Sequence, residues 1–163
     1  MPEGGVIVAQ CISIRIRINH VSFVYVADEA MERGHMLKLA LIANGIIMTL
    51  IGLQALFTPA GFLGDYGVAL PSASALAEAR SIHGGGFSAL GLLMWLGLLW
   101  KEFRLTALRT AAFFMIGLAF GRTLGIVFDG AFDFNTFFST AVEIILGVLA
   151  IMALQRERAS AQT

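Results

Sequence analysis

Two residues of opposite charge, Arg122 and Glu143, stand inside long apolar stretches of the sequence. A charge in the bilayer interior costs ~2.5–3.5 kcal/mol on insertion scales, so each is a candidate functional residue. Arg122 lies about six residues before its stretch ends near Phe128, and Glu143 about six residues after the next stretch begins near Phe137. A short connection joins the two stretches, so antiparallel helices would carry both side chains roughly 9 Å below the same end. The spacing therefore predicts an Arg122–Glu143 ion pair.

Further polar residues are expected at the same end of these helices, namely Glu78, Arg80, His83 and Asp129. Asp129 follows Arg122 by seven residues, which places the two on nearly one helical face. Arg80 and His83 are three residues apart and share a face as well. Together with the ion pair they form a predicted polar cluster within the membrane. A structural ion pair that fixes helix register is favoured, and a ligand-binding or proton-handling site is the alternative. His83 by itself is typical of a hydrogen-bonded interfacial residue.

Glycines accompany the charged residues and indicate close contacts between helices. Gly117, Gly121 and Gly125 form two overlapping GxxxG repeats, and we interpret them as packing inside a bundle, with a dimer motif as the alternative. The complete set of predicted packing glycines is Gly84, Gly85, Gly86, Gly117, Gly121, Gly125 and Gly147.

Four apolar segments must position these residues. The chain of 163 residues is 58% apolar and 13% charged, against roughly 45–50% and 25% in soluble domains. The segments cover approximately residues 38–58, 76–100, 105–128 and 136–155, each long enough to cross a hydrocarbon core of about 30 Å. They are continuous rather than alternating, which excludes a membrane β-barrel. The sequence therefore predicts an all-α bundle of four transmembrane helices.

Several classes of function are excluded or unsupported by composition. Eleven basic residues balance eleven acidic ones, which is unlike a nucleic-acid-binding protein. Cys11 is the single cysteine and the three histidines are scattered, so no metal site is predicted. The Gly84–Gly86 run lacks the lysine and hydroxyl residue of a phosphate-binding loop. We predict no cofactor and no catalytic residue.

Basic residues indicate the orientation in the membrane. All lysines and arginines except Arg80 and Arg122 lie near the two termini or around the 101–109 connection. The positive-inside rule then predicts a multi-pass inner-membrane protein with both termini in the cytoplasm.

Residues 1–35 differ from the rest of the chain. Isoleucines alternate with polar residues over 12–19, which indicates either a short β-hairpin or, because isolated hairpins are marginal, a disordered tail. We expect an N-terminal extension over residues 1–35, followed by a membrane domain over 36–158. A native start at Met31 or Met36, downstream of most of this extension, is the alternative to its being translated.

Two motifs resemble a family of small bacterial four-helix membrane proteins known as a domain of unknown function. They are Glu78-Ala-Arg80-Ser-Ile-His83-Gly84-Gly85 and Gly121-Arg122 followed by Asp129-Gly130. The resemblance covers about residues 36–155. A fainter similarity is to DoxX-like membrane proteins, some of which are linked to quinone or thiol redox systems.

We expect a non-enzymatic accessory or self-associating membrane subunit. Its partners would be the lipid bilayer and either further copies of the chain or a larger membrane complex, without nucleic acid. One alternative is a quinone- or small-molecule-binding redox component with a polar pocket in the outer leaflet. The other is a proton-linked transporter.

Overall fold

The structure is a computed structural model that describes the backbone of residues 34–160 and the side chains of residues 34–159. Every regular element of secondary structure within this range is a helix and no strand is present, which confirms the all-α prediction. The predicted N-terminal hairpin or tail lies outside the described residues. From Met36 onward the chain forms one compact unit.

Within residues 34–160 the chain forms five helices, and four of them are long and apolar enough to cross a membrane, as predicted. The helices are α1 (Gly34–Phe57), α2 (Pro59–Gly64), α3 (Ala73–Leu99), α4 (Lys101–Asp129) and α5 (Phe134–Ser160). The long helices begin a few residues before the predicted apolar segments. The short helix α2 was not predicted.

Local sequence explains where the helices begin and end. Pro59 occupies the first turn of α2, where its missing N–H costs nothing. Ser72 caps α3, its hydroxyl accepting a hydrogen bond from the backbone N–H of Ala75. Trp100 is extended and separates α3 from α4. Gly130 ends α4 with a φ of 67°, a left-handed conformation that favours glycine. Asp133 begins α5 by accepting a hydrogen bond from the backbone N–H of Thr136 at 2.9 Å.

Short connections make the four long helices antiparallel and define two ends of the bundle. Residues 58–72 and 130–133 lie at one end, which we call the loop end. The start of α1, Trp100 and the end of α5 lie at the other, the terminal end. Helices α1 and α3 approach very closely: an added Cβ at Gly52 would lie 2.5 Å from the backbone nitrogen of Ser88.

The core is concentrated toward the terminal end. Alanines on α4 and α5, such as Ala107, Ala111 and Ala150, pack against Leu41 and Met94, and all five are buried. Small side chains let the helix backbones approach, which closes this end. A second, smaller cluster follows toward the middle of the bundle around Met48, Met115 and Leu146. The loop end is packed less completely and contains the pockets described below.

Large apolar side chains cover the outside of the bundle. Phe113 and Phe120 on α4 are 82% and 64% exposed, and Ile145 on α5 is 64% exposed. In water such a surface would drive aggregation, whereas hydrocarbon chains solvate it. The exposed apolar surface and the helix lengths together are those of a multi-pass membrane protein.

Candidate functional site

The predicted ion pair is present between α4 and α5. Arg122 Nε donates to Glu143 Oε1 at 2.8 Å, a short, charge-assisted contact. The Glu143 side chain is 9% exposed and that of Arg122 is 29% exposed. The carboxylate is therefore the deeper partner, and the guanidinium reaches toward the surface of the bundle.

The second oxygen of Glu143 distinguishes this site from a closed ion pair. Oε2 is buried and no described residue hydrogen-bonds to it. A buried acceptor without a partner costs about 1–3 kcal/mol, so such groups are rare and call for an explanation. The pair thus presents one unused hydrogen-bond acceptor.

Tyr66 covers Arg122 from the loop end. It lies in the turn after α2, and its ring is 5.6 Å from the guanidinium carbon, the geometry of a cation–π contact. Phe62, one helical turn earlier, packs edge-on against Tyr66 at 5.9 Å. The connection between α1 and α3 thereby contributes an aromatic cover, which the sequence interpretation missed. Pro59 followed by Phe62 and Tyr66 four residues apart is the signal that indicates a short amphipathic helix here.

A pocket of about 290 Å³ adjoins the ion pair. Apolar residues of α1, α4 and α5, including Ile47, Met115 and Leu146, form much of its lining. Its polar lining comprises Gln54, Asp65, Tyr66, Arg122, Asn135, Ser139 and Glu143. We call this cavity the pair pocket. Its combination of apolar walls and a few convergent polar groups is typical of small-molecule sites.

A second pocket, of about 450 Å³, lies toward α3 and contains His83. Its lining is largely apolar and includes Ile82, Leu90 and Phe114. We call it the histidine pocket. Five residues line both pockets, namely Phe62, Tyr66, Phe87, Leu118 and Arg122.

His83 belongs to an unusual segment of α3. Residues Arg80–Gly85 form a π-helical turn, in which the backbone hydrogen bonds span five residues rather than four. The His83 ring lies 5.8 Å from the Phe62 ring. Its Nδ1 atom is buried, and none of the described residues bonds to it.

The remaining members of the predicted polar cluster lie elsewhere, so the cluster of six does not form. Arg80 Nε donates to the carbonyl of Leu56 at 3.1 Å, which satisfies a backbone group at the C-terminal end of α1. Glu78 and Asp129 are exposed and line neither pocket. Asp129 shares a face with Arg122, but two helical turns separate them by about 10 Å, beyond the reach of an ion pair.

The predicted packing glycines fall into two groups, those that lie at close contacts with another helix and those that do not. Gly84 and Gly147 lie at close helix contacts, where an added Cβ would stand 2.7 Å from Leu56 and 2.9 Å from Ile116 respectively. An added Cβ at Gly86, Gly117 or Gly121 would meet nothing within 4 Å, and one at Gly85 or Gly125 would face only its own helix. None of these five glycines makes a close contact with another helix among the described residues, because its side of the helix faces outward or along itself. Close contacts at Gly52 and Gly91 were missed.

Metal chemistry receives no geometric support from the part of the chain the structure describes. Within residues 34–160, no group of three or more histidine, cysteine, aspartate or glutamate side chains could hold an ion. What the site offers is hydrogen bonding and charge between apolar walls.

These observations define a small, multi-pass, four-helix membrane protein with a polar pocket at its loop end. The chain belongs to a family described as a domain of unknown function, DUF4345, whose model matches residues 36–154. No curated protein and no solved structure matches the chain.

Proposed function

We propose that this protein binds a small amphipathic molecule in the pair pocket. The observation that carries the proposal is Glu143 Oε2, a buried acceptor that has no hydrogen-bond partner within residues 34–160 and lies beside a cavity of about 290 Å³. A pair needed only to fix helix register would gain stability by satisfying or excluding that oxygen.

The chemistry of the pocket limits the ligand. A hydroxyl or another hydrogen-bond donor on the ligand would satisfy Oε2, while the cation of Arg122 balances the carboxylate charge. The apolar walls around Met115 and Leu146 favour an uncharged hydrophobic body. The volume lies at the lower end of the ~300–1,000 Å³ typical of small-molecule sites, which indicates a ligand of one or two rings.

Binding of 2-naphthol to the purified protein in lipid nanodiscs tests the proposal. Its hydroxyl would donate to Oε2 and its fused rings would contact the apolar walls. In Glu143→Gln the acceptor is neutral, so a charge-assisted hydrogen bond becomes an ordinary one, and we expect affinity to fall about tenfold. Glu78→Gln is the matched control, because Glu78 is exposed and lines neither pocket. Equal affinity in wild type and Glu143→Gln would refute the proposal.

The binding proposal accounts for more of the geometry than the two other functions considered. Self-association or an accessory role draws on the outward side of Gly117 and Gly121, where a helix could approach, but that face does not require the ion pair or the pockets. Proton-linked transport through an assembled pore would need Glu143 to face water. Its carboxylate is instead buried and engaged by Arg122.

For the membrane, we propose an inner-membrane location with the terminal end in the cytoplasm. Lys38, Lys101, Arg104 and Arg158 lie at the terminal end, as the positive-inside rule requires. A single cysteine placed at Ser72 in a Cys11→Ser background should react with a membrane-impermeant maleimide from outside the cell. A cysteine at Ala159 should react only after lysis, and the reverse pattern would contradict this orientation.

A further inference from the structure

The histidine pocket, like the pair pocket with Glu143 Oε2, carries a buried polar atom to which none of the described residues hydrogen-bonds. In the histidine pocket this atom is His83 Nδ1, which is on α3, whereas Glu143 is on α5. Two such groups therefore approach the loop end from different helices. Five residues line both pockets.

Those shared residues are mainly aromatic. Phe62, Tyr66 and Phe87 line both pockets, with Leu118 and Arg122 completing the boundary. Aromatic rings stack on flat rings and contact their edges favourably, and Arg122 can add a cation–π contact. The boundary thus suits a planar aromatic body, with Glu143 lining the pocket on one side and His83 the pocket on the other.

The backbone supplies an independent reason to regard His83 as functional. A π-helical turn is rare and less favourable than regular α-helix, and such turns frequently occur at functional sites. Here the turn covers Arg80–Gly85, with His83 inside it. Within this turn, Gly84 lies at a close contact with Leu56 of α1, and His83 lines the histidine pocket.

We infer that the ligand is a planar aromatic molecule with a hydroxyl group at each end, one directed to Glu143 Oε2 and the other to His83 Nδ1. This inference rests on the proposed function and specifies its ligand class. A hydroxyl suits both positions, because it donates to a carboxylate and either donates to or accepts from imidazole Nδ1, whichever tautomer is present. A dihydroxybenzene is the simplest molecule of this class.

A matched pair of probes isolates the second hydroxyl. The probes are tert-butylhydroquinone, with two hydroxyls on one ring, and its monomethyl ether, with one. Calorimetric titrations of the protein in lipid nanodiscs would be run without oxygen, so that the ring stays reduced. Wild type should bind the diol about tenfold more tightly than the ether, the equivalent of one hydrogen bond of about 1.4 kcal/mol.

Variants at His83 test whether the preference for the diol depends on this residue. His83→Leu should lower affinity for the diol about tenfold and leave affinity for the ether unchanged. His83→Asn keeps a polar atom close to the position of Nδ1, so it should restore a preference for the diol. The His83→Asn variant also controls for a folding artefact, since both variants remove the imidazole and only His83→Leu removes the hydrogen bond.

The outcomes separate this inference from the proposed function. If His83→Leu leaves the diol preference intact while Glu143→Gln weakens both probes, the inference is overturned and binding at the ion pair stands. If Glu143→Gln affects neither probe, or wild type binds neither, both are overturned. A diol preference lost in His83→Leu and recovered in His83→Asn, together with weakening of both probes in Glu143→Gln, would support both.

Discussion

Removing the charge of Arg122 alone should destabilise the bundle far more than removing the charges of Arg122 and Glu143 together. The informative substitutions are Arg122→Met and Glu143→Gln, singly and combined. Methionine retains most of the length of arginine without its charge, and glutamine retains the shape of glutamate. Arg122→Met leaves a carboxylate in the interior of the bundle, whereas the double variant leaves two neutral side chains.

The expected magnitudes follow from burial. The Glu143 side chain is only 9% exposed, and breaking a buried ion pair costs about 3–5 kcal/mol. Proton uptake sets a ceiling, because protonating a glutamate in water at pH 7 costs about 3.7 kcal/mol, from an ordinary pKa of about 4.3 and 1.36 kcal/mol per unit. We therefore expect Arg122→Met to lose about 3–4 kcal/mol of unfolding free energy.

Glu143→Gln should cost less. Its carbonyl can still accept from Arg122, whose side chain is 29% exposed and lies against the Tyr66 ring, so we expect a loss of about 1–2 kcal/mol. The double variant should lose about 1–2 kcal/mol. The resulting coupling energy, about 3 kcal/mol, greatly exceeds the ~0.6 kcal/mol average of interhelical hydrogen bonds in membranes.

Reversible unfolding by SDS in mixed micelles, followed by circular dichroism, measures these free energies. The same cycle on Arg80→Met and Glu78→Gln is the control, because the structure does not pair those two side chains. At pH 5 the loss in Arg122→Met should shrink to about 1 kcal/mol, since protonating the stranded carboxyl is easier. Additive losses in the Arg122–Glu143 cycle would refute the reasoning.

Three smaller perturbations test the rest of the structure by the same unfolding measurement. Gly52→Ala should destabilise the bundle because the added Cβ would lie 2.5 Å from the backbone of α3. Gly117→Ala should be neutral or stabilising, because no described atom lies within 4 Å of its added Cβ. Equal effects of the two substitutions would contradict the close contact between α1 and α3. Thr49→Val removes the hydroxyl that accepts a hydrogen bond from the Trp95 indole N–H at 3.0 Å, and it should lower the free energy of unfolding by about 1 kcal/mol. The tryptophan fluorescence spectrum should shift as well, and an unchanged spectrum would contradict this hydrogen bond. Hydrogen bonds from the hydroxyl and backbone N–H of Thr136 lower the pKa of Asp133, so its cap stabilises the bundle above about pH 4 and this contribution is lost as the pH falls further. Asp133→Ala should therefore be less stable than the wild type at pH 7, and this difference should narrow at pH 3. The difference between Asp133→Ala and Asp133→Asn, neither of which titrates at this position, should stay the same, and a wild-type advantage that does not change with pH would contradict the charged cap.

The four membrane helices could be predicted because a run of apolar residues long enough to cross a bilayer has few other stable structures. Their ends were less predictable. Helix α4 begins at Lys101 rather than near residue 105, because apolarity marks the hydrocarbon region whereas the helix continues through charged residues at its edge. The extension of α3 back to Ala73 has the same cause, together with the Ser72 cap.

The sequence by itself determined the Arg122–Glu143 pair, because a short connection and equal distances from it fix the relative depth of two side chains on neighbouring helices. The depth of a side chain along its helix follows from the number of residues that separate it from the helix end, and this number can be counted in the sequence. The direction in which a side chain points around the helix depends on contacts between segments far apart in the chain. Only the tertiary structure therefore decided that Gly117 faces outward, that Arg80 bonds to α1, and that Tyr66 covers the guanidinium. The π-helical turn adds to this, since it shifts the helical register at His83 and so separates it from the face that regular spacing predicts.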